Sequence, residues 1–128
     1  MNANEAKQQL CQRDATIDRT MIHFANLNNG PKPVWWLEIP RQKLANLIPV
    51  HIHLLLYDLH AAILYHLAIP IRYLHDHADQ LAVRDDIDHI CLELTTTRDA
   101  TMFRDQRPTG GGVEFRQFLH YCFGCSSP

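Results

Sequence analysis

Nine histidines in 128 residues are the side chains with which this sequence could do chemistry. The longest apolar stretch carries His51, His53 and His66, and a later apolar stretch carries His89 and Glu93. Neutral imidazoles and carboxylates donate lone pairs to zinc and iron. If these side chains project from the same face of one sheet, they form a metal or acid–base site. The proposed metal ligands are His53, His66, His89 and Glu93.

The same histidines have a simpler interpretation, which is a solvated sheet face that happens to be rich in histidine. The chain contains no HExxH or comparable spacing that would identify a zinc enzyme. On two paired strands, His53 and His66 would be diagonal neighbours, about 7–8 Å apart at the backbone. Because no diagnostic zinc spacing is present, we expect no cofactor. The alternative is a small metal-dependent enzyme that binds a divalent metal such as zinc.

A second candidate site is the loop between two apolar segments, residues 98–112, which contains FRDQRPTGGG. Arginine forks bind carboxylate or phosphate, and glycines let backbone N–H groups approach a ligand. The loop lacks the GK[ST] of a Walker motif. The predicted ligand is a small anion, and the predicted binding residues are Arg104, Arg107, Gly110, Gly111 and Gly112. In one rival interpretation the loop is a flexible hairpin connection with ordinary surface arginines. In another, Arg107 pairs internally with Asp105 or a buried carboxylate and holds the loop shut.

Composition argues against several classes of function. The net charge of −2 creates no field that would recruit nucleic acid or an anionic membrane. No stretch has the roughly 18 uninterrupted apolar residues of a membrane span. The N-terminus has no apolar segment typical of a signal peptide, so we expect a cytoplasmic protein. No GxSxG is present, and the only serines are Ser126 and Ser127. The sequence predicts a non-catalytic binding or protein-interaction module.

The longest apolar stretch, HIHLLLYDLHAAILYHLAIPIRY, predicts a β-hairpin that organises the fold. Its two halves alternate with a period near two and break at residues 58–62. A two- or four-residue turn gives one register, with Asp58 opposite Ile63. One face is then nearly all apolar, and the other carries the histidines. A slip of one residue would exchange the faces of one strand, and a buried helix is the alternative for such an apolar run.

The remaining pattern predicts an α+β domain that spans residues 1–128, with a short tail at 124–128. Helical spacing of apolar residues predicts an N-terminal helix over 3–27 and a second helix over 70–84. Alternation predicts strands over 34–39 and 87–97, and residues 40–47 a short helix. Residues 113–123 fit a strand or a helix, and we favour a strand. The expected result is a mainly antiparallel sheet of four to five strands with the helices on one face.

Two adjacent tryptophans lie in one predicted strand, and successive side chains of a strand point to opposite faces. Trp35 and Trp36 therefore cannot both enter the core, and we expect one of them, Trp36, at a surface or interface. An exposed tryptophan and open sheet edges leave apolar surface and unpaired backbone to cover. The predicted partner is a second copy of the chain, most simply in a homodimer.

Overall fold

The computed structural model describes residues 1–27, 33–45, 50–96, 102–106 and 112–123, and it confirms the α+β class. Two α-helices and seven β-strands are described in these ranges. In chain order they are α1 (Ala3–Arg13), β1 (Ile22–Asn26), β2 (Val34–Pro40), β3 (His51–Asp58), β4 (Ile63–Pro70), α2 (Ile71–Asp76), β5 (Ala82–Arg84), β6 (His89–Thr95) and β7 (Leu119–Phe123). Neither helix is long and apolar enough to cross a bilayer.

The strands form two sheets where the sequence predicted one. Sheet A has the strand order β1-β3-β4-β7, and sheet B has the order β2-β6-β5. Neighbouring strands are antiparallel except β1 and β3, which are parallel. An isolated bridge between Leu27 and Trp35 links the two sheets at one side. The prediction of a mainly antiparallel arrangement is confirmed, but the count of four to five strands is too low.

The central hairpin has the predicted register. Asp58 lies opposite Ile63, and Ile52 lies opposite Ile69. The turn is closed by Asp58, whose Oδ1 accepts hydrogen bonds from the backbone N–H of His60 at 3.0 Å and of Ala61 at 3.1 Å. A carboxylate that binds the backbone two residues on is a common way to form such a turn. The register therefore puts the predicted apolar face into the core.

The N-terminal helix is much shorter than the predicted 3–27, because α1 ends at Arg13. Asp14 accepts bonds from the backbone N–H and the hydroxyl of Thr16, at 3.0 and 2.5 Å. Asp18 binds Thr20 in the same way, at 2.9 and 2.8 Å. Such local bonds compete with the helical backbone pattern. Residues 22–26 then form β1 beside β3, although their apolar spacing also fitted a helix.

The second predicted helix, over 70–84, is also too long. α2 ends at Asp76, a 3-10 turn follows at Ala78–Gln80, and the last part of the segment is strand β5. Val83 on β5 pairs with Ile90 on β6 and packs against the core. The C-terminal segment is a strand over Leu119–Phe123, as favoured, after a 3-10 turn. In the second segment, antiparallel pairing of β5 with β6, the next strand in the chain, has overridden the local helical periodicity.

The main core lies between the two sheets and is centred on Trp35, which is fully buried. Its ring stacks on Phe103 with 5.5 Å between ring centroids and meets Tyr65 edge-on at 5.8 Å. Its indole N–H donates to the carbonyl of Tyr57 at 3.0 Å, which ties β2 to β3. Trp36 is 45% exposed on the outer face of sheet B. The prediction that the two tryptophans divide between core and surface is confirmed.

Helix α1 covers the outer face of sheet A, opposite the main core. Ala6 and Leu10 are buried against Ile22, Leu55 and Leu64. Asn2 caps the start of the helix: its Oδ1 accepts from the backbone N–H of Glu5 at 2.8 Å, and its Nδ2 donates to the carboxylate of Glu5 at 3.1 Å. The histidine-bearing face of the hairpin is therefore largely covered, whereas the sequence predicted a solvated face.

We expect Leu10→Ala to lower the free energy of unfolding by about 2–5 kcal/mol, because it leaves a cavity under α1. Urea denaturation followed by circular dichroism measures the change. Gln9→Ala, at an exposed position one residue earlier, is the matched control and should have little effect. Equal stability of the two variants would show that α1 does not pack on sheet A as described.

We expect the protein to form a homodimer through the exposed Trp36, and the Trp36→Ser variant to be a monomer. Tryptophan is over-represented among the few residues that contribute most of the binding free energy of a protein–protein interface. Sedimentation equilibrium of both proteins measures the masses. Leu59→Ser is the control, because Leu59 is 64% exposed in the β3–β4 turn and has no assigned role. A monomer mass for the unaltered protein at high concentration would contradict this prediction.

Candidate functional site

Two histidine rings on the central hairpin contact each other directly. His53 on β3 and His66 on β4 are diagonal neighbours in the register, as predicted. His53 Nδ1 and His66 Nε2 are 2.8 Å apart, which is a hydrogen bond between the rings. His66 is only 2% exposed, because it lies beneath other side chains on the outer face of sheet A. A hydrogen-bonded pair is how a buried polar group avoids an unsatisfied donor or acceptor.

Two further histidines flank this pair. The ring centroids of His51 and His53 are 6.2 Å apart, and those of His66 and His120 are 5.3 Å apart. The centroids of the central pair are 5.1 Å apart. β3, β4 and β7 thus place four imidazoles in a row across sheet A. His120 lies in the segment 113–123, which fitted a strand or a helix in the sequence. Its place beside the other histidines was therefore not predicted.

Burial sets the protonation of the central pair. Removal from water, with a smaller contribution from neighbouring His51, lowers the pKa of His53 from 6.5 to about 4. The same cause lowers the pKa of His66 to about 4, with smaller effects of His53 and His120. Asp14 opposes both shifts through its negative charge. Both imidazoles are therefore neutral at pH 7.

A cleft in two parts opens between the end of α1 and sheet A, and we call it the α1 cleft. The larger cavity, about 360 Å³, is lined by Asp14, Thr16, Ile17, Asp18, Met21, Val50, His51 and His53. The smaller one, about 190 Å³, is lined by Leu10, Arg13, Asp14, Ile17, His66 and His120. One ring of the central pair therefore lines each cavity. A concave site with a few convergent polar groups and titratable residues of shifted pKa is typical of ligand sites.

The carboxylate of Asp14 lies on the wall common to both cavities. The hydrogen bonds from Thr16 hold it in place and lower its pKa from 3.8. Bonds from Thr20 lower the pKa of Asp18 for the same reason. Both side chains are thus ionised at pH 7. Neither was chosen from the sequence, although the repeated Asp-x-Thr spacing was a signal for their turns.

The four predicted metal ligands do not come together. His53 and His66 lie on sheet A, whereas His89 and Glu93 lie on β6 of sheet B, beyond the main core. His89 Nδ1 is 3.3 Å from Glu38 Oε2, and Glu38 also forms an ion pair with Arg84 of β5. In the ranges that the structure describes, no three histidine, cysteine or acidic side chains are arranged to hold a metal ion. The error lay in assuming one sheet where the chain forms two.

The arginine–glycine loop is anchored by a hairpin. The backbone N–H of Asp105 donates to Val113 at 2.9 Å, in an antiparallel arrangement. In the adjacent bridge, on the side away from the loop, Arg104 Nη2 and Glu114 Oε1 are 2.6 Å apart, so this guanidinium is engaged within the protein. Gly112 has φ of +72°, which favours glycine. The other three predicted anion-binding residues, Arg107, Gly110 and Gly111, lie outside the described residues.

Comparison of the chain with protein-family models, with curated proteins and with solved structures found no match in any of the three. The functional argument therefore depends on the geometry of the chain itself.

We expect Arg104→Ala to lower the free energy of unfolding by no more than about 1 kcal/mol, because its ion pair with Glu114 is exposed to solvent. If Arg104 instead captures an anion, as the sequence suggested, the variant loses phosphate affinity about tenfold with little change in stability. Thermal denaturation and calorimetric titration with phosphate distinguish these results. Arg72→Ala, at an exposed position of α2, is the control for the loss of one positive charge.

Proposed function

We propose that the protein is a non-catalytic binding module whose ligand occupies the α1 cleft. The observation that carries this proposal is the hydrogen-bonded pair His53–His66, with one ring on each of two adjoining cavities. Polar groups that are paired, buried and aimed at a cleft are held in fixed positions. Fixed positions reduce the entropy that is lost when a ligand is bound.

The charges of the larger cavity favour a small organic cation over an anion; the one arginine of the cleft, Arg13, lines the smaller cavity. Asp14 and Asp18 contribute two ionised carboxylates to the larger cavity, and none of its described lining residues is a lysine or arginine. The neutral ring of His53 can accept or donate a hydrogen bond there. Ile17, Met21 and Val50 supply apolar walls for a hydrocarbon chain. An ammonium or guanidinium group on a short alkyl chain fits both features.

The composition of the cleft supports binding rather than covalent chemistry. Its described lining contains no cysteine, serine or lysine that could act as a nucleophile. The one hydroxyl, on Thr16, is within 2.5 Å of Asp14 and takes part in the turn after α1. The neutral histidines could move protons, but among the described lining residues the hydroxyl of Thr16 is bonded to Asp14 and there is no thiol or amine beside them. Binding is therefore the function that these groups support together.

The test is titration of the labelled protein with n-butylammonium and, separately, with butyrate, followed by NMR. The ammonium ion should shift the amide signals of residues 14–18 and 50–53, and butyrate should not. Asp14→Asn should weaken the ammonium affinity about tenfold or more, because a charge-assisted hydrogen bond contributes roughly 1.5–3 kcal/mol. Asparagine keeps an oxygen that can accept the bonds from Thr16, so the turn should persist.

Asp85→Asn is the matched control, since it removes one negative charge from an exposed turn between β5 and β6. It should leave the ammonium affinity unchanged. Equal shifts with the two probes, shifts outside the cleft, or equal losses in the two variants would each contradict the proposed function.

A further inference from the structure

We infer that the α1 cleft is acid-sensitive: protonation of both rings of the His53–His66 pair breaks their hydrogen bond, loosens α1 from sheet A and releases a bound cation. The release rests on the proposed function, but the loosening of α1 does not. The inference is carried by the direct contact of the two rings and by the position of His66, which is buried and lines a cavity together with Leu10 and Arg13 of α1.

The hydrogen bond between the rings exists only while one of them is neutral. At 2.8 Å, one nitrogen donates its N–H and the other accepts with its lone pair. An imidazolium ring has hydrogen on both nitrogens and no acceptor. When His53 and His66 are both protonated, two N–H groups and two positive charges face each other. The rings must then separate, and His66 has little room to do so because it is 2% exposed.

The groups around the pair decide which element moves. Arg13 and Asp14 face it from the end of α1, His51 from β3 and His120 from β7. Arg13 is always positive, and protonation of either flanking histidine would add further positive charge. Asp14 is the negative group among those that act on the pair. Acid therefore leaves an excess of positive charge between α1 and the sheet.

Helix α1 is the element most easily displaced by this repulsion. β3 and β4 are bonded along their whole length within sheet A, and their other faces lie in the main core. α1 is held on the sheet chiefly by Ala6 and Leu10, in the smaller cluster. Elements with few buried contacts open at a lower free energy than the strands of a core.

The direction of the pH effect follows from the pKa shifts. Burial lowers the pKa of His53 and His66 from 6.5 to about 4, so the unfolded or opened chain binds more protons than the closed one. The closed state therefore has its full stability above about pH 6.5 and loses it as the pH falls towards 4. The hydrogen bonds from Thr16 lower the pKa of Asp14 from 3.8. A loss of cation binding that begins well above pH 4 would then come from the histidines rather than from Asp14.

The first test is amide hydrogen exchange of the full chain at pH 7 and pH 4, corrected for the intrinsic exchange rate. Protection of α1 should fall at least tenfold in acid, while that of β3 and β4 changes much less. In the double variant His53→Asn/His66→Gln, which does not titrate here, α1 protection should be similar at both pH values. His75→Gln is the control, because His75 is 72% exposed on α2, and it should behave like the unaltered protein.

Unchanged α1 protection in acid, or the same acid response in the double variant, would overturn the inference. If the double variant does not fold, titration of the ring nitrogens of the unaltered protein by ¹⁵N NMR decides instead. Protonation of His53 and His66 must then occur at the same pH as the changes in the α1 signals. Different midpoint pH values for the two events would refute the inference.

The second test is n-butylammonium affinity at the same two pH values. We expect at least a tenfold loss in acid for the unaltered protein and a smaller loss for the double variant. If no ammonium binds at pH 7, the proposed function fails, but the exchange result still decides whether acid loosens α1. If ammonium binds equally well at both pH values, the proposed function stands and the acid-driven release is wrong.

Discussion

The fold depends on the register of the β3–β4 hairpin, since this hairpin is buried on both faces. One face supplies Ile52, Leu54 and Leu67 to the core between the sheets, and the other carries Leu55 beneath α1. A slip of one residue would turn an apolar set outward and move histidines into the main core. The cost of such an exchange, in unpaired polar groups and exposed apolar side chains, is what selects the observed pairing.

The hydrogen bond between His53 and His66 follows directly from that register. His66 is buried beside the end of α1 and His53 is partly buried next to the turns that follow it, so both rings lose water and each needs a partner. The diagonal relation on adjacent strands supplies one. The turns after α1 then bring Asp14 and its neighbours to the edge of the same layer. The rings of His53 and His66 thus satisfy each other's hydrogen-bonding groups inside the fold and also line the candidate ligand site.

The division into two sheets explains why the other chemical groups of the chain do not join this site. Sheet B places Glu38 beside His89 on its outer face, and Arg104 is paired with Glu114 in the adjoining hairpin. Trp35 links β2 to β3 through its hydrogen bond to Tyr57, which holds the two sheets around one core. The outer faces consequently point in opposite directions, and among the described elements it is sheet A whose outer face is covered by a helix, α1.

Short-range features were readable from the sequence: the hairpin with its register, the strand with Trp35 inside and Trp36 outside, and the diagonal relation of His53 to His66, though not the hydrogen bond between their rings. Each depends on alternation over a few residues, which the chain specifies locally. The ends of both helices, the strands that replaced their second halves, and the places of His89 and Asp14 depended on tertiary structure. The pairing of β1 with β3 joins residues that are far apart in the sequence. The helical periodicity of residues 22–26 therefore could not show that they form a strand parallel to β3.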